Sequence, residues 1–165
     1  MDAVHLQVED RVVALLRTAA IPNVGDRVFS EVDFRITEGS GPYVRVACPA
    51  WRRTGDRGNP PRRVLTTDVS LVVVLFAAAT AETGDVRRYA GNLGASIRRE
   101  IERNPYLRDD AGVSLAHSTL WQDGAIAVSG EGKESRAVVR QTFVVTVHVV
   151  EGDPTHTLPQ LNAAI

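Results

Sequence analysis

The chain has 165 residues, 44% of them apolar and 24% charged, the proportions of one soluble globular domain large enough to bury a core. A net charge of −1 excludes any global pull toward nucleic acid or an anionic membrane, so an electrostatic function has to be local. The one cysteine, Cys48, excludes an internal disulfide and a cysteine-rich zinc site, and it fits a reducing cytoplasm.

In chain order, the opening MDAVHLQVEDRV is acidic and helical in pattern, not a signal peptide. Residues 3–19 predict an amphipathic helix, with Val4, Val8, Val12, Leu15, Leu16 and Ala19 on one side. Residues 21–26 (IPNVGD) form a turn, and an extended segment begins at Arg27. Residues 31–38 are mixed, and 39–42 (GSGP) turn again before a short alternating strand at 43–48. Residues 49–63 (PAWRRTGDRGNPPRR) hold three prolines and two glycines, which disfavour helix and interior strand; a long loop is expected, of the kind that tends to carry function. Residues 66–76 predict a long strand, half-exposed at one end and apolar on both faces at the other. This holds the longest apolar run, 69–79, which is too short to span a bilayer.

Residues 83–105 predict the central helix. Val86, Ala90, Leu93, Ile97 and Ile101 fall on one side, Thr83 or Asp85 offers an N-cap, and Asn104-Pro105 ends it. Gly91 and Gly94 lie within this helix, either to admit a close approach to a sheet or as simple weaknesses. A strand is expected over 113–122, a loop over 123–134, and the strongest strand over Arg136–Val150. The tail, 152–165, is too irregular to pack as an element of its own. The expected architecture is therefore α+β: a domain over 1–151 with a mostly antiparallel sheet of about four to five strands and two helices packed on one face, followed by an extended tail.

The catalytic inventory is thin, and neither a catalytic residue, a cofactor site nor a metal site is expected. His5, His117, His148 and His156 show no ligand spacing; His117 and His148 are potential ladder neighbours, but ordinary half-exposed sheet histidines outweigh a two-histidine metal site. The stretch Gly55-Asp56-Arg57-Gly58 lacks the lysine and hydroxyl residue of a phosphate loop. Cys48 ends an apolar strand face, as a buried structural thiol does. The best local signal is Arg52, Arg53, Arg57, Arg62 and Arg63 against Asp56, a net of +4, with Trp51 beside them as a stacking surface. That set suits an acidic protein surface or a phosphate backbone, and equally a solvated loop.

The layout as a whole resembles the tail terminator proteins of long-tailed bacteriophages, the family of the lambda minor tail protein U. The resemblance runs from the first helix through Gly25-Asp26-Arg27-Val28-Phe29, Pro42-Tyr43-Val44 and the valine-rich strand at 69–76. It continues through the helix ending Ile97-Arg98-Arg99-Glu100-Ile101-Glu102-Arg103-Asn104-Pro105, the strand at 118–121, the Gly130-Glu131-Gly132 turn and the last strand at 137–149. It implies a structural virion protein rather than an enzyme. Such proteins form a ring, commonly a hexamer, on the head-proximal end of the tail tube, assembled in the host cytoplasm. The ring stops tube growth once the tape measure protein is covered and later docks the head. The implied partners are copies of itself, the tail tube protein, a head-completion or connector protein and the tape measure protein, with DNA only in transit and no membrane. The arginine-rich stretch 51–63 is then expected to touch a neighbouring subunit or the tube end. The alternatives are a nucleic-acid-binding module using that stretch, or another head-tail connector or completion protein.

Overall fold

The computed structural model describes residues 3–31, 41–60, 63–80 and 83–157. Helix α1 (Val4–Ala19) buries Val4, Val8, Val12 and Leu16, one residue per turn, and ends at Ala20 in the left-handed conformation (φ 48°). Two short elements follow: a turn closed by the Val24 and Gly25 N–H groups on the Ile21 carbonyl, then the three-residue strand β1 (Val28–Ser30). Arg17 ties α1 to β1, since its Nε and Nη2 both donate to the Val28 carbonyl, at 2.9 and 2.7 Å.

Strands β2 (Tyr43–Arg57) and β3 (Val64–Ala78) then form a long hairpin. Helix α2 (Val86–Glu102) is capped by Asp85, whose Oδ1 accepts from the N–H groups of Arg87 (3.0 Å) and Arg88 (3.4 Å). Strands β4 (Ser118–Ser129), β5 (Arg136–Val150) and β6 (Asp153–Thr157) complete the sheet. Its order is β1-β2-β3-β5-β4, with β6 also on β5. The β1–β2 pair is parallel and all others are antiparallel. Because β3 pairs along the whole of β5, from Val64–Val150 to Ala78–Arg136, β6 takes the other edge of β5, beyond the start of β4.

Alternation along β3 and β5 places Val69, Leu71, Val73 and Leu75 with Phe143, Val145 and Val147 on one face. These join Val8, Val12 and Leu16 of α1 and Ala90, Leu93, Ile97 and Ile101 of α2 in a single core. Both helices thus lie on one face of a mostly antiparallel sheet, the expected α+β architecture. Val72 and Val74 point to the opposite face, where no helix of the described residues packs, and they are buried there as well. Gly94 lets α2 sit close on β5: a Cβ there would lie 2.9 Å from Val139 Cγ1, and Gln141 Nε2 donates to the Gly94 carbonyl at 2.6 Å. Gly91 has open space around its Cβ position. No helix among the described residues is long and apolar enough to cross a membrane.

Three expectations need correction. Residues 49–63 are not a long loop, because β2 runs on to Arg57 and β3 begins at Val64. Two register shifts, between Ala47 and Ala50 and between Arg53 and Gly55, absorb Pro49 and Thr54 as bulges. Beyond β1 this half of β2 is also, among the described residues, an outer strand, where a missing N–H is tolerated. Residues 123–129 are strand rather than loop, reached through a register shift between Trp121 and Asp123, whereas 113–117 precede the strand. The segment after 152 does form an element, β6 on β5, a sixth strand beside the five that run across the sheet. Of the expected turns and mixed segments, 32–40 lie outside the described residues.

Candidate interaction surfaces

The outer end of the β2–β3 hairpin gathers most of the expected residues. Trp51 is 53% exposed, and its indole stacks on the His5 ring from the first turn of α1, with centroids 3.8 Å apart and planes 4° from parallel. Burial lowers the His5 pKa, which favours the neutral ring. Arg53 is ion-paired with Asp56 three residues on. Arg63 makes a two-pronged bond to Glu151 (Nε–Oε2 2.9 Å, Nη2–Oε1 2.6 Å) and reaches Asp56 at 4.0 Å. The hydrogen bonds and charge of that pair raise the Arg63 pKa and lower that of Glu151, so both stay ionised. Arg62 lies outside the described residues.

The five described residues therefore do not form one uniform patch. Arg53 and Arg63 have carboxylate partners that join β2, β3 and the end of β5. Arg52 and Arg57 have none among the described residues and are exposed. Alternation also divides the set. Trp51 is paired with Val69 on the helix side, while Arg52 is paired with Asp68 on the uncovered side. Among the described residues, the guanidinium groups without a carboxylate partner are those of Arg52 and Arg57, near one exposed indole.

The uncovered face carries further residues that sequence reasoning missed. In register across it lie the rows Arg45–Val74–Arg140 and Tyr43–Phe76–Val138, with the Tyr43 and Phe76 rings stacked at 4.8 Å and the Arg45 guanidinium 5.8 Å from the Phe76 centroid. The outermost strand, β4, is also unexpectedly apolar on its surface: Leu120 is 64% exposed, Val128 45% and Trp121 37%. Arg98 of α2 lies over the Trp121 ring at 3.8 Å. The signal was present as Ala125-Ile126-Ala127-Val128, but Asp123-Gly124 before it imitates a turn.

His117, His148, Cys48 and Glu9 are further titratable groups in or beside the sheet and α1. The His117 and His148 rings are neighbours, with centroids 4.9 Å apart, and Thr66 Oγ1 lies 3.4 Å from His148 Nδ1. Burial first, then the charges of His117 and Arg57, lowers the His148 pKa. Among the described residues no group of three or more His, Cys, Asp or Glu is arranged to hold a metal ion. Cys48 is buried, and burial with the nearby Glu9 charge pushes its thiol pKa far up, keeping it protonated. Glu9, also missed, is a buried carboxylate on α1. Its oxygens accept from the Glu31 N–H (3.0 Å) and the Cys48 N–H (3.2 Å), at the end of β1 and the first bulge of β2.

The arrangement offers strand edges, an uncovered sheet face, exposed apolar side chains and the guanidinium groups of Arg52 and Arg57, all of them means of holding another macromolecule. Compared with known protein families and with curated proteins, the chain matches none.

Proposed function

We propose that this chain is a structural virion protein, a tail terminator whose copies close a ring, commonly a hexamer, on the head-proximal end of a phage tail tube. The ring halts tube growth and gives the head connector its docking surface; DNA passes through it only at ejection. The observation that carries this reading is a sheet that, among the described residues, is covered by helices on one face and unpaired along most of both outer edges. Such surfaces are completed by other subunits. The order of elements supports it further, since the helix, the long hairpin, the second helix and the last two long strands follow one another as the resemblance implies.

The test is tail length, measured by electron microscopy after deleting the gene from its source genome. Overlong, headless tails of variable length are expected; tails of normal length overturn the reading. The hairpin end is the proposed contact with the neighbouring subunit or the tube. Arg52→Ser with Arg57→Ser tests it cleanly, because Arg53 and Arg63 hold internal ion pairs. Capping is expected to fall with the fold intact.

A second reading, a nucleic-acid-binding module, is favoured by Arg45, Arg52, Arg136 and Arg140 lying on the same face of the sheet, against Asp68 and Asp123 there. It requires retention on duplex DNA that drops steeply between low and physiological salt. The terminator reading expects little retention at either.

A further inference from the structure

We infer that copies of this chain join head to tail through their sheet edges, β4 of one copy pairing antiparallel with the outer half of β2 of the next. The inference rests on the ring reading and names its joint. Among the described residues two edges are open. β4 ends the sheet order and pairs only with β5, so among the described residues its outward N–H and C=O groups have no ladder partner. On the other side, β1 covers β2 only along the register from Val44 to Val46, and the last bond there runs from the Glu31 N–H to the Val46 carbonyl. From Ala50 to Arg57, β2 has no outer neighbour among the described residues.

Direction favours this pairing. β2 is antiparallel to β3, β3 to β5 and β5 to β4, so β4 runs opposite to β2. A second copy set alongside in the same orientation therefore meets the first through antiparallel edges, the more stable ladder. Equal orientation is the condition for a heterologous contact, which closes into a ring when the rotation allows. The two bulges of β2 bend that edge, as a curved assembly needs, and leave residues 50–53 in regular register between them.

Side-chain chemistry selects the same pair of edges. The β2 edge offers exposed Trp51 with Arg52 and Arg57. The β4 edge offers exposed Leu120, Trp121 and Val128 with Asp123, followed by exposed Glu131 and Glu134 against the lone Lys133. Across the sheet Arg52 stands level with Ser118, and Asp123 stands four positions away along β5 at Thr142, so a slide of four residues between copies (about 13 Å) sets Arg52 against Asp123. A two-fold pairing of β4 with β4, or β2 with β2, sets like charges against each other, which is unfavourable across a ladder.

The experiment uses two edge variants of the full chain, both changed only at exposed positions and checked for an unaltered circular dichroism spectrum. One carries Arg52→Glu and Arg57→Glu, the other Leu120→Lys and Val128→Lys. Native mass spectrometry over a concentration series reads the assembly. The unaltered chain is expected to form closed oligomers. Each variant alone is expected to fall to the 17.9 kDa monomer. An equimolar mixture is expected to recover assembly, because the intact β4 edge of one variant meets the intact β2 edge of the other and the two altered edges, now glutamate against lysine, attract rather than repel. A β2 variant that still dimerises alone indicates two-fold β4 pairing and overturns the inference. So do variants that assemble like the unaltered chain, and an unaltered chain that stays monomeric at the highest concentration. The tail-length measurement separates the two readings: overlong tails without the β2–β4 joint keep the terminator and reject the joint, and head-to-tail oligomers with normal tails do the reverse.

Discussion

Two glycines in one helix show how differently the same residue can act. Both cost helix stability relative to alanine, roughly 1 kcal/mol each. Gly91 is exposed with open space at its Cβ position, so Gly91→Ala is expected to raise the unfolding free energy by about that amount. At Gly94 the new methyl would meet the stiff, buried Val139 at 2.9 Å and Gln141 Nε2 at 3.2 Å, and would strain the bond Gln141 gives the Gly94 carbonyl. Overpacking of this kind costs about 1–3 kcal/mol, which outweighs the propensity gain, so Gly94→Ala is expected to destabilise. Urea unfolding of the pair checks both signs, and a stabilised Gly94→Ala would mean that α2 does not rest on β5 at this point. Glu9 gives a pH prediction of unusual direction. Burial raises its pKa, the hydrogen bonds from the Glu31 and Cys48 N–H groups lower it, the negative charges of Glu31 and Asp10 raise it again, and the net shift is upward. Since the folded-state value lies above the unfolded one, its contribution to stability is fully present below the ordinary glutamate range and is lost as pH rises through the raised value. The stability of the native chain relative to Glu9→Gln is therefore expected to fall between mildly acidic and neutral pH. A difference that grows with pH would show that the hydrogen bonds outweigh desolvation.

Among elements, legibility in the sequence followed how strongly one periodicity dominated. In α2 the stripe Val86, Ala90, Leu93, Ile97, Ile101 left one solution, and all five are buried. The Asp85 cap follows from the same geometry, and Asp85→Ala is expected to cost about 1 kcal/mol by thermal or urea unfolding, whereas removing the Thr83 hydroxyl spares the α2 N-terminus. Strand β5 was equally plain, since Phe143, Val145 and Val147 face the core while Thr142, Thr146 and His148 face away. The outer half of β2 and most of β4 were not legible, for one shared reason. Both are edge segments with little core-facing burden, so proline, glycine and charge are allowed there and erase the alternation. A bulge shifts the register in each, which further breaks the period of two. The candidate site was legible as composition only. Sequence located the arginines and Trp51, but the partners that engage Arg53 and Arg63 include Glu151, far along the chain, and that meeting depends on the completed β3–β5 ladder.

At the scale of the whole molecule, the sheet is strong in the middle and unfinished at its margins, and that gradient is measurable. β3 and β5 are paired with each other along their full length, flanked by further strands and packed on both helices, so their amides are expected to exchange with solvent only through global unfolding. In β4 and in β2 beyond Ala50, the amides that point outward have no ladder partner among the described residues and are expected to exchange fast in dilute protein. Joining the edges changes this in a specific way. As concentration rises, protection should appear in β4 and in residues 50–57 of β2 together, while the uncovered face between them, whose backbone groups are already paired in the sheet, stays as it was. Hydrogen exchange with mass spectrometry resolves those segments. Protection gained by β4 alone would mean that a different surface receives it. Protection gained by neither, in protein shown to be oligomeric, would move the contact to the uncovered face, where Arg45, Arg140, Tyr43 and Phe76 stand in register. The distinction matters for the ring, because edge pairing fixes every subunit in one orientation along the sheet and so allows the rotation to close. Face-to-face packing of the uncovered surfaces pairs subunits two by two and ends there.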